Sequence, residues 1–140
     1  MYILKTEASF DSAHFLHGYE GKCSNIHGHR WRVIAAISAQ ALSEEGQLRG
    51  MLMDFGDFKK ALREEADTLD HAFIIEKDTL KPKTLEALLD EGFRLISVSF
   101  RPTAENLAKY IFDSMKSKGF NVSDITVYET PNNCAIYKED

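Results

Sequence analysis

The chain has 140 residues, the usual size of one domain, so we expect a single domain over residues 1–140. Its composition, with 44% hydrophobic and 28% charged residues, is that of a globular protein and excludes disordered, collagen-like and coiled-coil chains. The formal net charge of −5 argues against binding to nucleic acid, and no stretch reaches the ~20 apolar residues of a membrane span. The two cysteines, Cys23 and Cys134, are too few for a disulfide framework, so we expect a reducing, cytoplasmic location.

Two long strands are predicted in the first third of the chain. From Tyr2 to His14, apolar side chains share one parity and charged side chains the other, which is typical of a half-buried strand. A glycine-containing loop follows, and a second strand is predicted from about His29 to Leu42. After a polar loop, Asp54 is the expected N-cap of an amphipathic helix that extends to Leu69.

The second half of the chain is predicted to contain two more helices and three strands. A short helix is expected from Thr84 to Glu91 and a short strand from Phe93 to Phe100. The clearest helix is capped by Thr103 and stopped by Gly119. A last pair of strands, from roughly Asp124 to Lys138, turns at Pro131-Asn132-Asn133.

This order of elements predicts an α+β fold, an antiparallel sheet with helices packed on one face. Long strands at the edges of such a sheet have unpaired backbone groups that invite pairing with another copy of the chain. We therefore expect a homo-oligomer in which subunits join sheet to sheet.

Three histidines are predicted to bind one metal ion. His27 and His29 are two residues apart and so lie on the same face of a strand, and His14 has the matching parity at the end of the first strand. If the two strands pair, the three imidazoles converge, and three histidines with an open fourth position are typical of catalytic zinc. Alternatively, Cys23 supplies a fourth ligand and closes a structural site, or the histidines are loop and core residues. His17 is interpreted as a solvated loop residue.

Three further groups are candidates for chemistry. Cys23 follows Lys22, and a neighbouring cation favours the reactive thiolate, although a small apolar loop residue is the simpler interpretation. Asp70 and His71 follow the first helix, where they serve either proton transfer or helix capping. Glu129 lies on the apolar parity of its strand and must be paired, either with a substrate that has several N–H donors or with an arginine, unless it is exposed at the strand end.

Six motifs, taken together in their order along the chain, resemble the 6-pyruvoyltetrahydropterin synthase / 6-carboxytetrahydropterin synthase family. The resemblance runs from residue 2 to residue 137, and the Cys-x3-His-Gly-His spacing is similar to that of the carboxytetrahydropterin branch. The motifs are Ser9-Phe-Asp-Ser-Ala-His14, Gly21-Lys-Cys23-x3-His27-Gly-His29, Met53-Asp-Phe, Asp70-His71-Ala-Phe, Pro102-Thr-Ala-Glu-Asn106 and Tyr128-Glu-Thr-Pro131.

The resemblance implies a fold, a site and a reaction. The fold is the tunnelling fold, in which subunits form closed barrels, usually as a hexamer. The substrate implied is 7,8-dihydroneopterin triphosphate, converted to 6-carboxy-5,6,7,8-tetrahydropterin, acetaldehyde and triphosphate on the way to queuosine. Two alternatives remain: formation of 6-pyruvoyltetrahydropterin from the same substrate, and a non-catalytic oligomer in which zinc has a structural role. The implied zinc ligands are His14, His27 and His29, the proton-relay triad is Cys23, Asp70 and His71, and the pterin contacts are Glu129 and Thr103.

One segment departs from the shortest members of the family. The stretch between His71 and Pro102 carries the helix predicted from Thr84 and the strand predicted from Phe93. We expect this insert at the rim of the substrate pocket. Candidates for binding the triphosphate are Lys22, Arg30 and Arg32, although long basic side chains on a strand are usually solvated.

Overall fold

A computed structural model describes all residues from Met1 to Asp140. One six-stranded sheet, in the order β4-β3-β1-β2-β5-β6, organises the chain. None of the helices is both long enough and apolar enough to cross a membrane. In chain order the elements are β1 (Tyr2–His14), a 3-10 turn (Lys22–Ser24), β2 (His27–Ala39), α1 (Phe55–Asp67), β3 (Ala72–Glu76), α2 (Pro82–Asp90), β4 (Leu95–Val98), α3 (Ala104–Ser117), β5 (Val122–Thr130) and β6 (Asn133–Tyr137).

The antiparallel pair β1–β2 is the longest ladder of the sheet. Its register runs without a break from Tyr2 opposite Ala39 to His14 opposite His27. Trp31 of β2 is completely buried, and β1 buries Phe10 on the same face. Because a slip of one residue would move this whole apolar set to the other face, burial specifies the register. The predicted bounds of β1 are confirmed, whereas β2 begins two residues before the predicted His29 and ends at Ala39.

Helices α1 and α3 cover one face of the sheet and enclose the core with it. Both predicted N-caps are confirmed: Asp54 accepts a hydrogen bond from the backbone N–H of Gly56 at 2.6 Å, and Thr103 accepts one from Asn106 at 3.2 Å. α2 buries none of its residues. The largest completely buried side chains, which come from the sheet, α1 and α3, include Trp31, Phe10, Phe58, Phe112, Ile37, Leu62, Leu107 and Ile111.

The sheet is mixed, whereas the sequence predicted only antiparallel pairs. β3 was not predicted; it lies parallel to the end of β1, with Ser12 opposite Ala72 and Ala13 opposite Phe73, and β4 lies parallel to β3. β3 is a run of five largely buried residues without alternation, and such a short run does not distinguish a strand from a buried helix by periodicity. The α+β class is confirmed, and the antiparallel part of the sheet has the order β1-β2-β5-β6.

Both sides of the sheet retain open strand edges. β3 pairs with β1 only at Ser12 and Ala13, so the stretch of β1 from Tyr2 to Phe10 has no strand on that side. At the other edge lies β6, where Ile136 is 62% exposed. The open edge that the sequence predicted is therefore located mainly along β1.

Candidate active site

Four side chains converge where β1 ends, β2 begins and β5 approaches its last residue, Thr130. The Nε2 atoms of His14 and His27 are 3.1 Å apart. An oxygen of Glu129 lies 3.5 Å from His14 Nε2 and 3.4 Å from His29 Nε2. All four ligand atoms lie within 4.8 Å of one another, which is the arrangement of a site for one metal ion.

Hydrogen bonds orient the histidines toward a common point. His14 Nδ1 donates to the carbonyl of Pro102 and His27 Nδ1 to the carbonyl of Asn25, each at 2.7 Å. A carbonyl only accepts, so the proton resides on Nδ1 and the Nε2 lone pair is free. His29 Nε2 is buried and has no hydrogen-bond partner. An unpaired buried nitrogen is costly, and a bound metal cation would satisfy it, so these residues fit a metal.

Trp31 forms the floor of the cluster. Its ring contacts the imidazoles of His14 and His29 edge-on, with centroids 4.9 and 5.2 Å away, and its Nε1 donates to the carbonyl of Ser12 at 3.4 Å. Trp31 is completely buried, so it holds these imidazoles against the hydrophobic core.

Burial favours the neutral form of His14 and His29. It lowers the pKa of His14 to about 4, helped by the charges of His27 and His29 and opposed by the hydrogen bond to Pro102. Burial also lowers the pKa of His29, although the nearby Glu129 carboxylate opposes this shift. Neutral imidazole is the form that binds a metal, so at neutral pH no proton competes at these ligands.

Asp70 and His71 form an oriented pair after α1. His71 Nδ1 donates to one Asp70 oxygen at 2.9 Å, and the backbone N–H of Asp11 donates to the other at 2.8 Å. These two hydrogen bonds, the one from Asp11 first, lower the pKa of Asp70, which therefore stays ionised. The backbone N–H of His71 in turn donates to the carbonyl of Asp11 at 2.7 Å. With Nδ1 engaged, Nε2 is the ring nitrogen of His71 that remains available to other partners.

Two cavities meet beside His29. A cavity of about 700 Å³ has both His29 and His71 in its wall, so it connects the histidine cluster to the Asp70–His71 pair. The insert contributes Leu88 and Phe93 to this wall, in agreement with the expectation that it borders the pocket. A second cavity, of about 470 Å³, is lined by His29, Glu129, Thr130 and the two arginines of β2. Gly28 lines both cavities.

Two predicted residues are not brought into this cluster. Cys23 is partly buried in the 3-10 turn and lines neither cavity; its carbonyl accepts a hydrogen bond from Leu16. The fourth group beside the histidines is Glu129 instead of Cys23. Thr103 caps α3 with its hydroxyl oxygen and follows Pro102, whose carbonyl binds His14.

The arginines proposed for the triphosphate are already paired. Arg30 donates two hydrogen bonds of 3.0 Å to Asp11, and Arg32 donates one of 3.2 Å to Glu7. Arg32 also stacks over the ring of Tyr128, 4.1 Å from its centroid. Anion binding at these arginines would compete with two carboxylates that are already present.

Sequence reasoning missed three parts of the site. It did not place the Glu129 carboxylate among the histidines, although its apolar-face parity already required a buried partner. It also missed the carbonyl of Pro102 and the backbone of Asp11, which orient His14 and Asp70. Both residues lie inside motifs that the sequence analysis singled out, but backbone acceptors and donors have no sequence signature.

Comparison with known proteins agrees with this fold. The family model for 6-pyruvoyl tetrahydropterin synthase matches residues 3–140. A relative from Haemophilus influenzae, named 6-carboxy-5,6,7,8-tetrahydropterin synthase, is 35% identical over 99% of this chain and 100% of its own. An uncharacterized Wolinella succinogenes protein superimposes with a TM-score of 0.83 at 23% identity, covering 99% of this chain and 98% of its own. Plasmodium falciparum 6-pyruvoyl tetrahydropterin synthase gives a TM-score of 0.70 at 20% identity, covering 99% and 97%.

The fold and the site define a tunnelling-fold protein with a histidine and carboxylate cluster fit for a metal ion. More particularly, the chain belongs to the 6-pyruvoyl tetrahydropterin synthase family.

Protonation of His14 makes the metal-free protein sensitive to mild acid. An unfolded histidine binds a proton near its ordinary pKa of 6.5, whereas folded His14 resists protonation until about 4. Between pH 6.5 and about 4 the unfolded state therefore binds more protons than the folded state. As the pH is lowered through this range, the free energy of unfolding decreases by up to roughly 3 kcal/mol. Urea denaturation in the presence of a chelator, repeated across the window, measures this loss.

The matched variants are His14→Gln and His17→Gln, since His17 is exposed. His17→Gln should lose stability in parallel with the wild type, and His14→Gln should lose less. Identical slopes for all three proteins would contradict the assignment to His14.

Proposed function

We propose that this chain is a zinc-dependent carbon–carbon lyase that converts 7,8-dihydroneopterin triphosphate and water to 6-carboxy-5,6,7,8-tetrahydropterin, acetaldehyde and triphosphate in queuosine biosynthesis. The observation that supports it is the cluster of three histidines with free Nε2 atoms, one of which, His29, lines a cavity that also has His71 in its wall. The full-length match to a 6-carboxy-5,6,7,8-tetrahydropterin synthase supports the choice of substrate and product. We take residues 1–140 as one such domain.

Zinc is the metal we propose for His14, His27 and His29. Nitrogen ligands at this spacing suit tetrahedral zinc, and the positive charge of a bound zinc favours loss of a proton from the hydroxyls of the substrate side chain. Glu129 lies within 3.5 Å of two of the same nitrogens, so a substrate bound there meets its carboxylate. We assign Glu129 to substrate binding because a carboxylate accepts hydrogen bonds from several pterin N–H groups.

Thr103 is the second substrate-binding residue that we propose. Its hydroxyl oxygen already accepts the N-cap hydrogen bond from Asn106, but its proton remains available to donate. It follows Pro102, which holds His14, so a substrate contact here would lie beside the metal ligands.

Cys23, Asp70 and His71 are the proposed proton-transfer groups. Cys23 precedes the ligand His27 by four residues, and as a thiolate it would take a proton from the substrate side-chain carbon. His71 receives or returns a proton at Nε2, while the ionised Asp70 holds its Nδ1–H and stabilises the imidazolium. Holding these groups and the substrate in one geometry is the main contribution of the protein.

The experiment that tests the function is a product assay. Zinc-loaded protein is incubated with 7,8-dihydroneopterin triphosphate while acetaldehyde and the masses of the pterins are recorded together. We expect acetaldehyde and the carboxypterin in equal amounts. The pyruvoyl product without acetaldehyde would move the protein to the rival activity, and no turnover with zinc bound would favour the structural-zinc alternative.

Replacement of Cys23 separates its catalytic role from a ligand role. Cys23→Ala should keep zinc and pterin binding but lose at least about 100-fold in kcat, because the proposed base is gone. Cys134→Ala is the matched control, since that exposed cysteine has no proposed role and should leave kcat unchanged. Loss of zinc from Cys23→Ala, measured by metal analysis, would instead make the cysteine a ligand.

A homohexamer is the assembly we propose. The unpaired edge of β1 and the exposed edge of β6 are complementary hydrogen-bonding surfaces for neighbouring copies. Light scattering at micromolar concentration should give six times the chain mass of 15.9 kDa. A monomer at that concentration would refute the proposal.

Both cysteines are free thiols, which supports a reducing cytoplasm as the location.

A further inference from the structure

One side chain of the insert, that of Arg94, contacts the turn that contains Asp70 and His71. Arg94, just before β4, donates from Nη1 to the carbonyl of Asp70 at 2.8 Å. Its Nη2 donates to the carbonyls of Thr68 at 2.8 Å and Asp67 at 3.1 Å. One planar guanidinium therefore bridges three carbonyls of the same turn, a geometry that a lysine cannot reproduce.

The end of α1 needs an external cation. The last turn of α1 contains no basic residue, and its C-terminal residues include Glu64 and Asp67. The partial negative charge of a helix C-terminus and these carboxylates repel one another, and the terminal carbonyls lack intrahelical donors. Two cations come from outside the helix: Lys118 pairs with Glu65 at 2.9 Å, and Arg94 supplies positive charge together with donors for the terminal carbonyls.

The turn it contacts is strained. His71 has a φ of 50°, in the left-handed region that non-glycine residues rarely adopt. Such a backbone is strained and persists only where the surroundings hold it. On one side the backbone of Asp11 holds it, through hydrogen bonds to Asp70 and His71. On the other side the carbonyl of Asp70 is held by Arg94.

The backbone of Arg94 is itself anchored. Its carbonyl accepts a hydrogen bond from the N–H of Phe73 at 3.0 Å, so the residue is attached to β3 directly after the turn. Arg94 also lines the cavity that has His71 in its wall. Arg94 is thus held by β3 through its backbone and by the turn through its guanidinium, and it links the insert to the candidate active site.

We propose that Arg94 is a positioning residue, which acts by holding the turn so that the His71 imidazole is aimed into the cavity. This inference rests on the proposed role of Asp70 and His71 in proton transfer. It assigns to the insert a part in the reaction that goes beyond bordering the pocket.

A double-mutant cycle tests the inference in the zinc-loaded enzyme. Arg94→Met keeps the stem of the side chain and removes every donor; we expect kcat to fall by about 10- to 100-fold with little change in KM. In a His71→Gln background the same substitution should cause no further loss, because the group it positions is absent. Arg63→Met, an exposed arginine of α1, is the matched control and should leave kcat unchanged.

Two further measurements separate positioning from simple stabilisation. Amide hydrogen exchange at His71 and Asp11 should accelerate in Arg94→Met, because the hydrogen bonds that these amides donate, to the Asp11 carbonyl and to the Asp70 carboxylate, loosen with the turn. Arg94→Lys keeps the charge without the planar fork, so its kcat should stay lowered. Should Arg94→Met fail to fold, the cycle is run with this lysine variant.

Three results would overturn the inference: unchanged kcat in Arg94→Met, wild-type kcat in Arg94→Lys, or losses that multiply in the double variant. If His71→Gln alone retains wild-type kcat, the proposed proton relay fails instead, whatever the Arg94 variants do.

Discussion

The register of β1 against β2 is the constraint on which the rest of the structure depends. Because His14 stands opposite His27, the three imidazoles meet on one face of the sheet, and the same alternation buries Trp31 beneath them. A slip of one residue would expose the core and separate the ligands at once. Folding therefore brings the histidines together, and burial of the same apolar side chains stabilises both the fold and the cluster of histidines.

Burial of the cluster has two opposite effects. It keeps His14 and His29 neutral and holds Nε2 of His29 without a partner, which prepares the site for a cation. The same burial makes the metal-free site costly, since an unpaired polar atom in a dry environment is destabilising. A cation that binds only the folded chain would relieve this cost and so stabilise the fold.

How far the sequence predicts the structure depends on whether a pattern is local. The strand β1, both helix caps and the histidine cluster follow from alternation, capping chemistry and spacing, which are visible within a few residues. β3 was missed because a short apolar run has no period of its own, and with it the parallel half of the sheet. The proximity of Glu129 to His29 and the contact of Arg94 with Asp70 join residues distant in the chain, and no local signal encodes them.

The shallow packing of α2 has a consequence for how this protein can change. Because α2 buries none of its residues while Leu88 forms part of a cavity wall, substitution of Leu88 alters the cavity without disturbing the core. Most destabilising substitutions act through buried groups. Substitutions in α2, which buries none of its residues, therefore change the free energy of unfolding little. The shape of the cavity at Leu88 can therefore vary in sequence while the fold is kept, so variants randomised at this position separate changes of the cavity from changes of stability.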